Sequence, residues 1–94
     1  FLDLEPLLLD IAKEIGWKDM KGVAIRSKMP TTAIEACQLN HPGDAEEQTN
    51  ELLKNWVESQ GKEASQNLVR ILLRNGQKRK AERVRDILAG RSNV

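Results

Sequence analysis

Ninety-four residues make one domain, which at this size buries roughly 60–65% of the unfolded chain's surface and has little room for a catalytic cleft beside its core. With aromatic residues at 3% and no tyrosine, Leu, Ile, Val and Ala carry the apolar load, a composition that suits helix-on-helix packing better than strands. A formal net charge of +1 removes any global electrostatic case for nucleic acid, the single cysteine removes an internal disulfide, and the single histidine all but removes a Cys/His metal cluster or a Ser-His-Asp triad.

Gly16, Pro30, Pro42-Gly43, Gly61, Gly76 and Gly90 punctuate the chain into six segments of helical character. They predict helices over about 4–15, 17–28, 32–39, 44–60, 63–75 and 78–89, within a single domain spanning residues 1–94. In the first, Leu4, Leu8, Ile11 and Ile15 form an amphipathic stripe that stops at Gly16, and Leu7 and Leu9 widen it, which predicts a central helix. In the second, Trp17, Met20, Val23 and Ala24 give an apolar face interrupted by Gly22, and Lys18, Lys21, Arg26 and Lys28 give a basic one.

The third opens with Thr32 and Glu35 three residues apart, the spacing of a capping box, and turns Ile34 and Cys37 inward. Cys37 reads as a small buried hydrophobe, because no pattern for a lowered thiol pKa surrounds it. Asn40-His41-Pro42-Gly43 reads as a turn. The fourth segment has Asp44 as its N-cap and acids in its first turn, then a stripe of Ala45, Thr49, Leu52, Leu53 and Trp56 that Gly61 ends. On that periodicity Trp56 is a core residue, and Trp17, beside a glycine at a helix junction, is expected in the core as well. The fifth carries Ala64, Leu68, Ile71 and Leu72, and the sixth Ala81, Val84, Ile87 and Leu88. Short connections make successive helices neighbours, so the fold class is all-α. No stretch reaches the roughly 20 apolar residues of a membrane span. The start at Phe1 reads as a piece cut from a longer protein, one compatible with a membrane anchor elsewhere.

Beyond an all-α domain, the sharper signal is Asp44-Ala45-Glu46-Glu47-Gln48 through Leu52-Leu53-Lys54-Asn55-Trp56, followed by Gly61-Lys62-Glu63-Ala64, Leu68, Leu72 and Ala81-Glu82. The Leu-Leu-x-x-Trp and Gly-x-x-Ala spacing resembles the death-domain family, and Ala33-Ile34-Glu35-Ala36-Cys37 is similar to that family's third helix. Within the family the run is most similar to the cytoplasmic death domain of Fas-type members of the TNF-receptor family. Two departures stand out: the acid Asp44 directly precedes Ala45, and Val23-Ala24 stand further from Trp17 than the usual Trp-x-x-Leu-Ala, with Gly22 between. The resemblance implies a six-helix antiparallel bundle of death-domain type, cytoplasmic, that is no enzyme and takes no cofactor or small-molecule substrate. It further implies apoptotic signalling by homotypic, asymmetric contacts, with a FADD-like adaptor as partner, self-association into higher-order oligomers, and no nucleic acid.

Charge is locally uneven. From Asp44 to Glu63 six acids face two bases, and from Arg70 to Arg91 eight bases face two acids. Either these are solvated helix faces or they are complementary patches that pair head to tail without closing on themselves. The acidic candidates are Asp44, Glu47 and Glu51, one turn apart along a helix. The basic candidates are Lys18, Lys21, Arg26 and Lys28 on the second helix and Lys78, Arg79 and Lys80 at the junction of the fifth and sixth. Two alternatives stay open. One is the death domain of an adaptor or scaffold, FADD-like or ankyrin-like. The other is a helical DNA-binding module using Lys78, Arg79, Lys80, Arg83 and Arg85, which the acidic fourth helix and the absence of a helix-turn-helix pattern oppose. Paired-carboxylate catalysis is disfavoured, since Glu46 and Glu47 are adjacent and diverge by about 100° on a helix.

Overall fold

Residues 5–90 are described by the computed structural model. The chain runs α1 (Glu5–Ile15), α2 (Trp17–Arg26), α3 (Thr31–Asn40), α4 (Ala45–Gln60), a 3-10 turn (Gly61–Glu63), α5 (Ala64–Arg74) and α6 (Lys78–Leu88). No strand forms among the described residues. The expectations placed on Leu4 and Arg91 lie outside them.

Glycine geometry sets the corners. Gly16 is the single residue between α1 and α2 and sits at φ +83°, a left-handed conformation that a side chain would strain. Its N–H donates to Ala12 O and its carbonyl accepts from Met20 N, both at 3.0 Å, so one residue closes one helix and opens the next.

At several places the chain departs from the sequence reading. Helix α2 stops at Arg26 because Lys28 takes φ +64°, and Met29 N folds back onto Ala24 O at 3.0 Å. Lys28 therefore stands in the turn and not on the helix. The Thr32–Glu35 capping box does not form. Pro30, extended at φ −60° and ψ 139°, is the N-cap, so Thr32 already lies inside the first turn, where its side chain makes no cap hydrogen bond. Asp44 does cap α4, its Oδ1 accepting from Glu47 N at 3.1 Å. The 3-10 turn takes up Glu63, and α5 begins at Ala64.

Helix α4 is the hub, packing on α1, α2, α3 and α5, while α1 packs on α2, α4 and α6. Helix α1 is central as expected, with Leu8, Ile11, Ala12 and Ile15 buried, and α4 has one neighbour more. Leu52, Leu53 and Trp56 are completely buried, as are Ile15, Met20, Val23, Cys37 and Leu72. The indole of Trp56 donates to Ser27 Oγ at 2.8 Å, which satisfies the one polar group that this ring brings into the core. Two stripe assignments are corrected. Leu9 is exposed, because α1 buries Leu8, Ile11, Ala12 and Ile15 and the residue after Leu8 turns about 100° away from that face. Ala45 is exposed too, since the first helical residue of α4 projects past the core and Gln48 and Thr49 are the first to point in. Trp17 is half-buried and packs against the core edge.

Gly22 lies inside α2 with helical backbone, and a methyl group added there meets nothing within 4 Å. Gly22→Ala should therefore stabilise the domain by about 0.5–1 kcal/mol, chiefly by reducing the freedom of the unfolded chain. A thermal melt should read a rise of roughly 4 °C; a fall would mean that α2 needs the glycine.

Candidate functional site

The acidic corner is built where α3 ends and α4 begins. His41 anchors the turn: its carbonyl accepts from Asp44 N at 3.1 Å and from Gln48 Nε2 at 2.8 Å. Its Nε2 lies 2.7 Å from Glu51 Oε1, while Glu51 Oε2 accepts from Asn40 Nδ2 at 3.0 Å. Both carboxylate oxygens of Glu51 are thus committed to holding the turn. Asp44 is exposed but spends one oxygen on the helix cap. Glu46 and Glu47 project from the first turn of α4, exposed and with no ion-pair partner among the described residues. The three acids predicted to act together are therefore unequal. Glu51 and Asp44 shape the corner, and Glu47 presents its charge to solvent.

Beneath the corner, Cys37 is fully buried. Burial pushes its thiol up to about 11, and the nearby Glu51 carboxylate adds to the rise. It carries no thiolate at neutral pH and behaves as a packing residue.

The basic residues divide in the same way. Lys18, Lys21 and Arg26 are exposed on α2, and Lys28 is exposed in the turn that follows. Lys78 and Arg79 are exposed at the start of α6. Lys80 instead turns inward: its Nζ donates to Ile15 O at 2.6 Å and pairs with Asp19. The other oxygen of Asp19 is 3.4 Å from Gln77 Nε2. One node therefore joins the end of α1, the first turn of α2 and the start of α6, and Lys80 satisfies a carbonyl that the end of a helix leaves open. A second link, Arg83 Nε to Glu14 Oε1 at 3.2 Å, ties α6 to α1.

Sequence reasoning missed these long-range pairings and also a groove between α5 and α6, of about 460 Å³, bordered by Arg70, Arg74 and Arg85. The four-residue spacing of Arg70 and Arg74 around exposed Leu73 was the local signal for it. Among the described residues no three His, Cys, Asp or Glu side chains gather to hold a metal ion, and no helix is long and apolar enough to cross a membrane. The arrangement offers separated charged surfaces on a rigid helical frame.

Comparison with known families gives a match of the death-domain model to residues 6–88. No curated protein and no solved structure matches the chain.

Proposed function

The chain belongs to the death-domain family, and on that premise we propose that it is the cytoplasmic death domain of a Fas-like receptor that recruits a FADD-like adaptor. A death domain is a protein-interaction module of signalling pathways, engaging other death domains homotypically. In this reading the helices form one antiparallel six-helix bundle that catalyses nothing, its parent is held at the membrane by a segment elsewhere, and its output is apoptotic. Electrostatic contact carries the recruitment: the acidic corner meets a basic face on the adaptor, while Lys18, Lys21, Arg26, Lys28, Lys78 and Arg79 offer basic faces to another copy or partner. Complementary potentials of this kind speed encounter and fix register.

The supporting observation is the exposed Glu47, unpaired among the described residues and standing on a turn that Glu51 and His41 hold in place. Glu47→Lys should weaken adaptor death-domain capture about ten-fold or more, with the melting temperature falling by no more than roughly 8 °C, since the change removes only a favourable charge from the first turn of α4, worth about 1 kcal/mol. Quantitative pull-down with a parallel melt decides it. Undiminished capture by the folded variant would remove the acidic corner from the interface.

A further inference from the structure

We propose that the arginine-rimmed groove between α5 and α6 docks an acidic amphipathic helix of a partner protein, which seats its aliphatic side chains in the groove and its carboxylates on Arg70, Arg74 and Arg85. That helix occupies a surface separate from the acidic corner and from the basic faces of α2 and the α5–α6 turn, so its docking is independent of the adaptor contact.

The groove encloses about 460 Å³ over an apolar floor of Val69, Leu73 and Leu88, and its only charged lining residues are the three arginines. Arg70 and Arg74 stand one turn apart on the α5 wall, with Arg85 on the α6 wall opposite. None of the three has an ion-pair partner among the described residues, and Arg70 donates only to the neutral amide of Asn67. Leu73 is 43% exposed, apolar surface that the fold leaves uncovered. Cations on both walls of an apolar trough call for an aliphatic group with carboxylates to either side, which guanidinium groups grip with paired N–H donors.

The shape of the groove selects a helix to carry these groups. Along α5 it runs from Ser65 to Arg74, about 14 Å or roughly two and a half helical turns, long enough for anchors on successive turns of an incoming helix. An extended peptide would need a strand edge to satisfy its backbone, and no strand forms among the described residues. A helix satisfies its own backbone and packs a ridge of side chains into such a trough. An anionic membrane takes up apolar groups that protrude, whereas Val69 is buried and Leu88 half-buried. Nucleic acid would engage the guanidinium groups through its phosphates and leave the apolar floor wet.

Fluorescence anisotropy of the 94-residue chain tests this, with a labelled helical peptide of about 18 residues that carries leucines one turn apart and glutamates on both flanks of that seam. Wild type should bind it. A peptide with serine for each leucine, or lysine for each glutamate, should bind about ten-fold more weakly or worse. Leu73→Ser should weaken the glutamate peptide about ten-fold as well. The double variant Arg74→Glu/Arg85→Glu should lose the glutamate peptide and gain the lysine one, an exchange that also shows the variant to be folded. If the double reversal unfolds the chain, Leu73→Ser, which changes no charge, carries the test. No binding by wild type, equal binding of the serine peptide, full binding by Leu73→Ser, or a folded double variant that ignores both peptides would each overturn the proposal. Should wild type ignore the peptide and the groove variants instead lose phosphatidylserine vesicles, duplex DNA, self-association or adaptor capture, the groove would belong to that occupant and the proposal would fall. Peptide binding is read without adaptor, so its failure is distinguishable from failure of the adaptor reading.

Discussion

Trp56→Ala is expected to leave the domain largely unfolded at physiological temperature. The ring is completely buried on the helix that touches four others, so its removal opens a cavity that no single neighbour can refill. A buried Trp→Ala change costs about 3–5 kcal/mol. The Ser27 hydroxyl also loses the indole N–H that now bonds it at 2.8 Å, at about 1 kcal/mol more. Domains hold roughly 5–15 kcal/mol in total, and small ones sit near the bottom of that range. Trp56→Phe keeps most of the apolar surface and loses the hydrogen bond, so it should cost less, about 1–3 kcal/mol. Urea titration followed by helical circular dichroism separates the variants. A wild-type midpoint for Trp56→Ala would mean that α4 is not the hub of the core.

Lys80→Glu should be the most damaging charge reversal on α6, and its damage should appear in stability before it appears in binding. The ammonium group satisfies the last carbonyl of α1 and pairs with Asp19. Both side chains keep part of their surface in water, 33% for Lys80 and 21% for Asp19, so solvent weakens the pair relative to a buried one. Lys80→Ala then costs roughly 2 kcal/mol, which lowers the melting temperature by roughly 10 °C in a domain of this size. Lys80→Glu goes further, because it sets two carboxylates against each other. Lys78→Glu and Arg79→Glu, on exposed side chains, should stay within about 2 °C of wild type. A double-mutant cycle with Asp19→Asn should recover part of the Lys80→Ala loss as coupling between the two residues. Equal melting temperatures for all three reversals would show that the node contributes nothing to the fold. Lost partner binding in a Lys80 variant, which breaks the node, then reports a loosened frame, while the same loss at Lys78 or Arg79, with the node intact, reports contact.

The residues that were legible in the sequence are those whose signal is local. Leu52, Leu53, Trp56, Leu68, Leu72, Val84 and Ile87 fall on the buried face because helical period alone fixes which side of a helix a residue takes. The Asp44 cap was legible for the same reason, as its partner is three residues away. The Thr32 box failed by two residues, because Pro30 supplied an extended N-cap and drew the helix start forward. Such a shift lies beneath what the spacing of Thr and Glu can resolve. The inward turn of Lys80 was illegible, since Ile15 and Asp19 are more than sixty positions away and only the packed fold brings them near. Glu51 was read as a surface acid because nothing in its helix shows that Asn40 and His41 fold back to use it. The groove had a local hint in its arginine spacing, yet its depth depends on how α6 lies against α5.

The Gly16 corner gives the domain a mechanical property. With one residue between them and the backbone hydrogen bonds continuing on both sides, α1 and α2 have no slack with which to move apart. Lys80 bolts the same corner to α6. The orientation of Lys18, Lys21 and Arg26 is therefore set by that of α1. Lengthening the corner by two or three glycines would insert a clutch: the charged face would remain, but its orientation would no longer follow α1.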